Sequence, residues 1–192
     1  MDVLVWACGQ SGDWGSVDHR AWAYAVEAGY QLPRLPAAPW LRAGLSRASG
    51  DDDPADHHHR TFFQIIPTPR IYAQFPFYNL MNGEDLFAQM ILKPHPKVSL
   101  RRDLHRLRLT EAADLWYAGG GATNAQVFGY SGTTSGGSRL LAHLAEVSVT
   151  VTVHRKVTAY AYYGRAFAGS VVAGTFPGGD ASLGYVEMTF RK

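Results

Sequence analysis

Residues 147–153 read Val-Ser-Val-Thr-Val-Thr-Val. Strict alternation turns one face of an extended strand toward an apolar medium and the other toward water. The apolar set is Val147, Val149, Val151 and Val153; the polar set is Glu146, Ser148, Thr150 and Thr152. Comparable patterns recur between clusters of turn residues and predict about eight strands with little helix. They cover residues 3–10, 20–31, 40–49, 85–93, 98–109, 141–153, 157–168 and 183–190. The second sets Trp22, Tyr24, Val26, Ala28 and Tyr30 against Ala25, Glu27, Gly29 and Gln31. The last sets Gly184, Val186, Met188 and Phe190 against Tyr185, Glu187 and Thr189. One segment admits a short helix instead: over residues 138–146, Leu140, Leu141 and Leu144 share a helical face.

The connections sharpen the picture. Those near residues 11–19, 50–83, 110–138 and 169–181 are long, and those near 32–39, 94–97 and 154–156 are short. In a meander the long ones fall on one side and the short ones on the other. Transmembrane barrels of outer membranes have this asymmetry, with tight periplasmic turns and long external loops. Soluble sandwiches mix loop lengths without regard to side. The expected fold is therefore all-β: an antiparallel up-and-down transmembrane β-barrel, one domain over residues 1–192, with external loops about 50–83 and 110–138. The alternative is a soluble β-sandwich or jelly roll that binds carbohydrate through its aromatics. Trp22, Tyr24 and Tyr30 on one strand face, and Tyr160 and Tyr162 on another, suit a lipid interface, although aromatics favour strands in general.

Composition narrows the function. The formal charge of +2 argues for neither nucleic acid nor an anionic membrane surface. Cys8 stands alone, which excludes an internal disulfide and argues against a cysteine-based zinc site. No apolar run approaches the roughly 18–20 residues of a membrane-spanning helix. The start, Met1-Asp2-Val3-Leu4-Val5-Trp6, is not a secretory signal peptide. A mean hydropathy of -0.15 with 20 glycines is unusual for a soluble enzyme and ordinary for a membrane barrel.

The polar faces carry many cations. In Val-Ser-Leu-Arg-Arg-Asp-Leu-His-Arg-Leu-Arg-Leu, residues 98–109, Ser99, Arg101, Asp103 and His105 oppose Val98, Leu100 and Leu104. Beyond His105 the apolar positions are Leu107 and Leu109, so a bulge would bring Arg106 and Arg108 to the polar side. Arg102 fits neither face. Arg42 and Arg165 are also placed inward. A charge facing lipid at mid-depth costs about 2–4 kcal/mol, so these groups are expected to face a lumen, where arginines select anions. Glu27, Asp103, Glu146 and Glu187 are candidate partners, and plain ion pairing that fills the barrel is the other reading.

Enzymatic motifs are absent from the sequence. Gly129-Tyr130-Ser131-Gly132 and Gly132-Thr133-Thr134-Ser135-Gly136 miss the Gly-x-Ser-x-Gly spacing of a nucleophile elbow. Gly119-Gly120-Gly121 lacks the Lys-Ser/Thr of a phosphate loop. Asp51, Asp52, Asp53 and Asp56 beside His57, His58 and His59 have donor types for a divalent cation. Consecutive loop residues rarely converge on one ion, so a solvated external loop is expected there. Neither enzyme activity, cofactor nor resident metal is expected. Prolines and aromatics between Phe62 and Tyr78 suggest that this loop folds inward as a plug or constriction.

Several runs carry a family likeness. They are Trp14-Gly15, Glu27-Ala28-Gly29-Tyr30, Ala48-Ser49-Gly50-Asp51-Asp52-Asp53-Pro54 with Asp56, and Thr61-Phe62-Phe63. Further on come Pro67-Thr68-Pro69-Arg70, Phe75-Pro76-Phe77-Tyr78-Asn79, Asp103-Leu104-His105-Arg106-Leu107, Asp114-Leu115-Trp116-Tyr117 and Tyr162-Tyr163-Gly164. With these runs the chain resembles the alginate export family of outer-membrane proteins. The resemblance implies a passive porin whose arginine-lined pore passes an anionic polyuronate or smaller anions outward, with outer-membrane lipid and periplasmic export machinery as partners. Its pore-lining residues here would be Arg42, Arg101, Asp103, His105, Arg106, Arg108, Arg165 and Glu187. Family members close about eighteen strands, within the range of such barrels. The expectation is therefore that this chain is the C-terminal portion of a wider wall, a truncated product without its signal peptide.

Overall fold

Alternating side chains on an extended backbone leave one ladder of N–H and C=O groups on each strand edge, and neighbouring segments satisfy it by pairing. The computed structural model describes residues 1–65, 74–75, 79–119 and 130–192. Its strands are β1 (Asp2–Trp14), β2 (Val17–Gln31), β3 (Trp40–Ala48), the two-residue β4 (His58–His59), β5 (Gly83–His95) and β6 (Val98–Leu109). After these come β7 (Leu115–Gly119), β8 (Tyr130–Thr134), β9 (Leu140–His154), β10 (Val157–Ala168), the helix α1 (Ser170–Thr175) and β11 (Ala181–Phe190).

The long strands form one sheet in chain order, β1-β2-β3-β5-β6-β9-β10-β11, every neighbour antiparallel. β4 lies parallel to the start of β2, and β7 with β8 forms a separate hairpin. This single-layer meander is not the two packed sheets of a sandwich. Its strands run nine to fifteen residues, matching or exceeding the ~9–11 that a tilted membrane strand needs. Among the described residues no strand pairs with the outer edges of β1 and β11, so the sheet does not close.

Three local expectations change. Residues 11–19 are not a long connection: the β1–β2 ladder continues through Ser11↔Arg20 to Trp14↔Val17 and turns over Gly15 and Ser16. Gly15 supplies the turn's φ of 63°. The possible helix over residues 138–146 is instead the start of β9, where the ladder to β6 shifts between Leu107 and Arg108. The connection near 169–181, expected as plain loop, contains α1, with Val171 and Val172 buried.

The two faces of the sheet differ. One is covered by the long connections, and its loop-side end is a dry core of Phe75, Leu107, Leu109, Trp116, Leu144 and Val171. A smaller cluster, Ala21, Ala23, Ala48 and Phe62, seats residues near 49–65 against β2 and β3. The other face is bare. Val26, Tyr30, Leu86, Leu104, Val147 and Tyr163 all stand exposed on it, although each belongs to an alternating strand.

Candidate functional site

The covered face carries a row of charged and amide groups across the strands, placed by register. Arg42 of β3 lies opposite Gln89 of β5, Gln89 opposite Asp103 of β6, and Asp103 opposite Glu146 of β9. Arg42 Nη2 donates to Glu27 Oε2 at 2.6 Å and Nη1 to Gln89 Oε1 at 3.1 Å. Its guanidinium lies 5.1 Å from the Trp40 ring centroid. Arg101 Nε donates to Asp103 Oδ2 at 2.6 Å. His105 Nδ1 sits 3.0 Å from Asp85 Oδ2, and His105 Nε2 sits 3.6 Å from Glu146 Oε2. The side chains of Asp85, His105 and Glu146 are each at most 2% exposed. Glu146 Oε1 accepts from Tyr162 OH at 2.5 Å and from the backbone N–H groups of Gln74 and Phe75 at 3.0 and 2.9 Å. That carboxylate therefore ties the wall to Gln74 and Phe75.

A second network locks the loops over this face. Asp114 accepts from Asp51 N–H at 2.9 Å, Thr61 Oγ1 at 2.5 Å, Tyr117 OH at 2.9 Å and Leu115 N–H at 2.7 Å. Asn82, fully buried, donates to the carbonyls of Glu111 and Leu115 and accepts from Glu111 N–H. A Cβ on Gly50 would lie 2.0 Å from Asn82 Oδ1, so only glycine lets the two connections meet. Burial first, and the Asp114 carboxylate second, hold the Tyr117 hydroxyl far above its usual range; burial pushes Tyr130, which donates to Gln64 O, up to about 12.

Beside this network lies a cleft of about 610 Å³ whose lining includes Asp51, His57, His58, His59, Asp114 and Tyr117. Arg60 engages the acidic run, reaching Asp51 at 3.5 Å, Asp52 at 3.2 Å and Asp56 at 2.6 Å. Its hydrogen bond holds the Asp56 carboxyl below the usual range. His19 Nδ1 lies 3.0 Å from the His59 carbonyl oxygen and 2.8 Å from His59 Nδ1. A carbonyl only accepts, so His19 Nδ1–H is the donor and His59 Nδ1 is unprotonated. Burial, then the charge of His19, lowers the His59 pKa against the opposing pull of Asp51 and Asp114. Trp14 stacks on the His59 ring at 4.5 Å.

A family model for alginate export matches residues 5–179, from within β1 to just short of β11. The chain belongs to the alginate export family. Membership places it with outer-membrane β-barrels that export alginate-like polysaccharide. No individual curated protein matches the chain.

Within this alginate export chain the residues expected to face a lumen divide. Arg42, Arg101, Asp103 and His105 lie on the covered face. Glu187 shares that face by register with Tyr160, but stands exposed on the edge strand and accepts from Thr189 Oγ1 at 3.4 Å. Arg106, Arg108 and Arg165 are on the bare face. No bulge follows His105 in the β5–β6 ladder, which runs unbroken from Gly83↔Leu109 to Leu92↔Leu100. Leu107 and Leu109 point inward because the loop layer makes a dry core at that end. Arg106 is therefore exposed and Arg108 meets Glu84 at 3.4 Å. Arg165 alternates with the buried positions Tyr162, Gly164 and Ala166 of β10 and so points outward. It lies over Phe167, 3.7 Å from Asp180. Arg102 falls between Met90 and Val147 on the bare face.

Asp85 was missed as the partner of His105, although the two share a face on adjacent strands. Asn82 and the meeting of Asp51, Thr61 and Asp114 across distant loops leave no spacing signal. The expected plug lies partly outside the described residues, which omit 66–73 and 76–78; so do Gly120, Gly121 and Gly129 of the glycine motifs.

Proposed function

We propose that the covered face lines an export path for an anionic uronate polysaccharide or smaller anions, while the bare face meets outer-membrane lipid. The observation that supports this best is the inverted burial: carboxylates and an imidazole are enclosed while large apolar side chains stand outside. In water that arrangement loses hydrophobic energy on one face and desolvates charge on the other. In a bilayer both faces are in their preferred medium. Arg42 and Arg101 are the inward guanidiniums of the proposed path. Each is held by an acidic partner, Glu27 or Asp103, so a passing carboxylate meets an oriented donor that binds it weakly enough to release it. The role is passage, not catalysis. Because unpaired strand edges do not survive in lipid, further strands beside β1 and β11 complete the wall, giving a barrel wider than eight strands.

The test is conductance of the native protein in planar bilayers with polyuronate added to one side. Arg42→Glu and Arg101→Glu are expected to move the reversal potential toward cations and weaken block by polyuronate. Arg165→Glu, on the bare face, is expected to leave both unchanged. An unchanged reversal potential in both inward variants contradicts an anion path along this face.

A further inference from the structure

The covered face also holds a buried cluster, one member of which, Asp103, holds Arg101 in the proposed path. Asp103, His105 and Glu146 each present one donor atom, and these atoms lie within 4.8 Å of one another with all three residues buried. Two of the groups are incompletely satisfied. His105 Nε2 and Asp103 Oδ1 are buried without a hydrogen-bond partner, on side chains 1% and 4% exposed. A buried polar atom left in this state is destabilising unless a ligand completes it.

The orientation of the imidazole gives the cluster its meaning. Asp85 lies 3.0 and 3.1 Å from His105 Nδ1, so that nitrogen carries the hydrogen and donates it. Nε2 is then turned toward Glu146 Oε2, 3.6 Å away. That separation is too long for a hydrogen bond. It matches two donors sharing one tetrahedral ion, which at ligand distances of about 2.0–2.2 Å stand roughly 3.3–3.6 Å apart. A carboxylate on the far imidazole nitrogen is the usual outer partner of a metal-bound histidine. On Asp103, Arg101 takes Oδ2 and leaves Oδ1 for a ligand. On Glu146, Tyr162 and the Phe75 N–H take Oε1, and the Gln74 N–H is shared between Oε1 at 3.0 Å and Oε2 at 3.4 Å, so Oε2 keeps a lone pair for a ligand.

We propose that Asp103, His105 and Glu146 form a binding site for a zinc-type divalent cation, with Asp85 orienting the imidazole. One imidazole nitrogen and two carboxylate oxygens suit zinc or a neighbouring first-row ion over calcium, which takes six to eight oxygens. The ion joins β6 to β9 and, through Glu146, fixes the loop segment at Gln74 and Phe75 to the wall. The site stands apart from the question of what the barrel exports.

The experiment is metal content of the native protein in detergent, by mass spectrometry after incubation with Zn²⁺ and desalting. One retained zinc per chain is expected. It is lost in His105→Gln and Glu146→Gln, and Asp85→Asn weakens it by about 10–100-fold. The paired variant His57→Ala/His58→Ala removes loop histidines outside the cluster and is expected to keep the ion. Asp103→Asn serves if His105→Gln does not fold, since its amide oxygen still accepts from Arg101; it is expected to lower affinity. No retained zinc in the native protein overturns the proposal. So does zinc unaffected by the cluster variants, or zinc lost with the loop histidines.

Discussion

Val26 and Glu27 are neighbours on β2, yet the valine is 46% exposed and the glutamate 7%. The same reversal holds for Val147 beside Glu146 on β9. In a water-soluble protein, valine goes in and glutamate out. On the reading proposed above, the two faces of this sheet were shaped by two media: the bare face by an apolar one, and the covered face by a polar interior under its own loops. The hydrophobic effect acts in both cases; what differs is where the water lies.

The largest way to disturb the comparison is to remove the lock on the covered face. Asp114→Ala strips acceptors from Asp51, Thr61 and Tyr117. It is expected to cost roughly 3 kcal/mol or more and to open residues near 50–60 to protease, read by denaturant titration and limited proteolysis. The bare face is tested by Val149→Arg, expected to cost about 2–4 kcal/mol when the protein is refolded into bilayers; on a water-facing surface it would cost close to nothing. Arg102 sharpens the same point from the other side. It occupies mid-strand on the bare face between Met90 and Val147, so Arg102→Leu is expected to stabilise the bilayer-inserted protein by up to about 2 kcal/mol.

The smallest effect is on pH. The His59 pKa is lowered in the folded protein, so unfolded chains bind its proton more readily. The stability linked to burying this neutral ring, and secondarily to its place beside His19, is complete above the unfolded pKa near 6.5 and declines as pH falls from there toward the lower folded value. Melting between pH 7.5 and 5 is expected to show this loss, and His59→Gln to flatten it.

Much of the wall was legible. The alternation in β2, β9 and β11 places side chains correctly because a period of two leaves no freedom once the ladder forms. The reading failed where one face changes character along a strand. Leu107 and Leu109 are apolar because the loops make a dry core at that end, not because the strand turns over. The extension of β1 to Trp14 was hidden by Ser11, Gly12 and Asp13, poor strand formers that pair because β2 continues opposite them. The loop knot was illegible for another reason. Asp51, Asn82 and Asp114 meet through long connections, and no local periodicity records such meetings. Yet Gly50-Asp51, Thr61, Asn79 and Asp114-Leu115-Trp116-Tyr117 all belong to the runs that resemble the alginate export family. The likeness thus marks residues that hold the loops over the wall.

The most direct test of the two-media account is nitroxide labelling of neighbouring positions in a Cys8→Ser background, at Val149 and Thr150 on opposite faces of β9. Accessibility to oxygen and to a water-soluble nickel chelate is then measured in reconstituted bilayers. The account predicts a Val149 label relaxed by oxygen and shielded from the chelate, with a Thr150 label showing the opposite preference. Equal exposure of both labels to the chelate would contradict it, because the bare face would then lie in water.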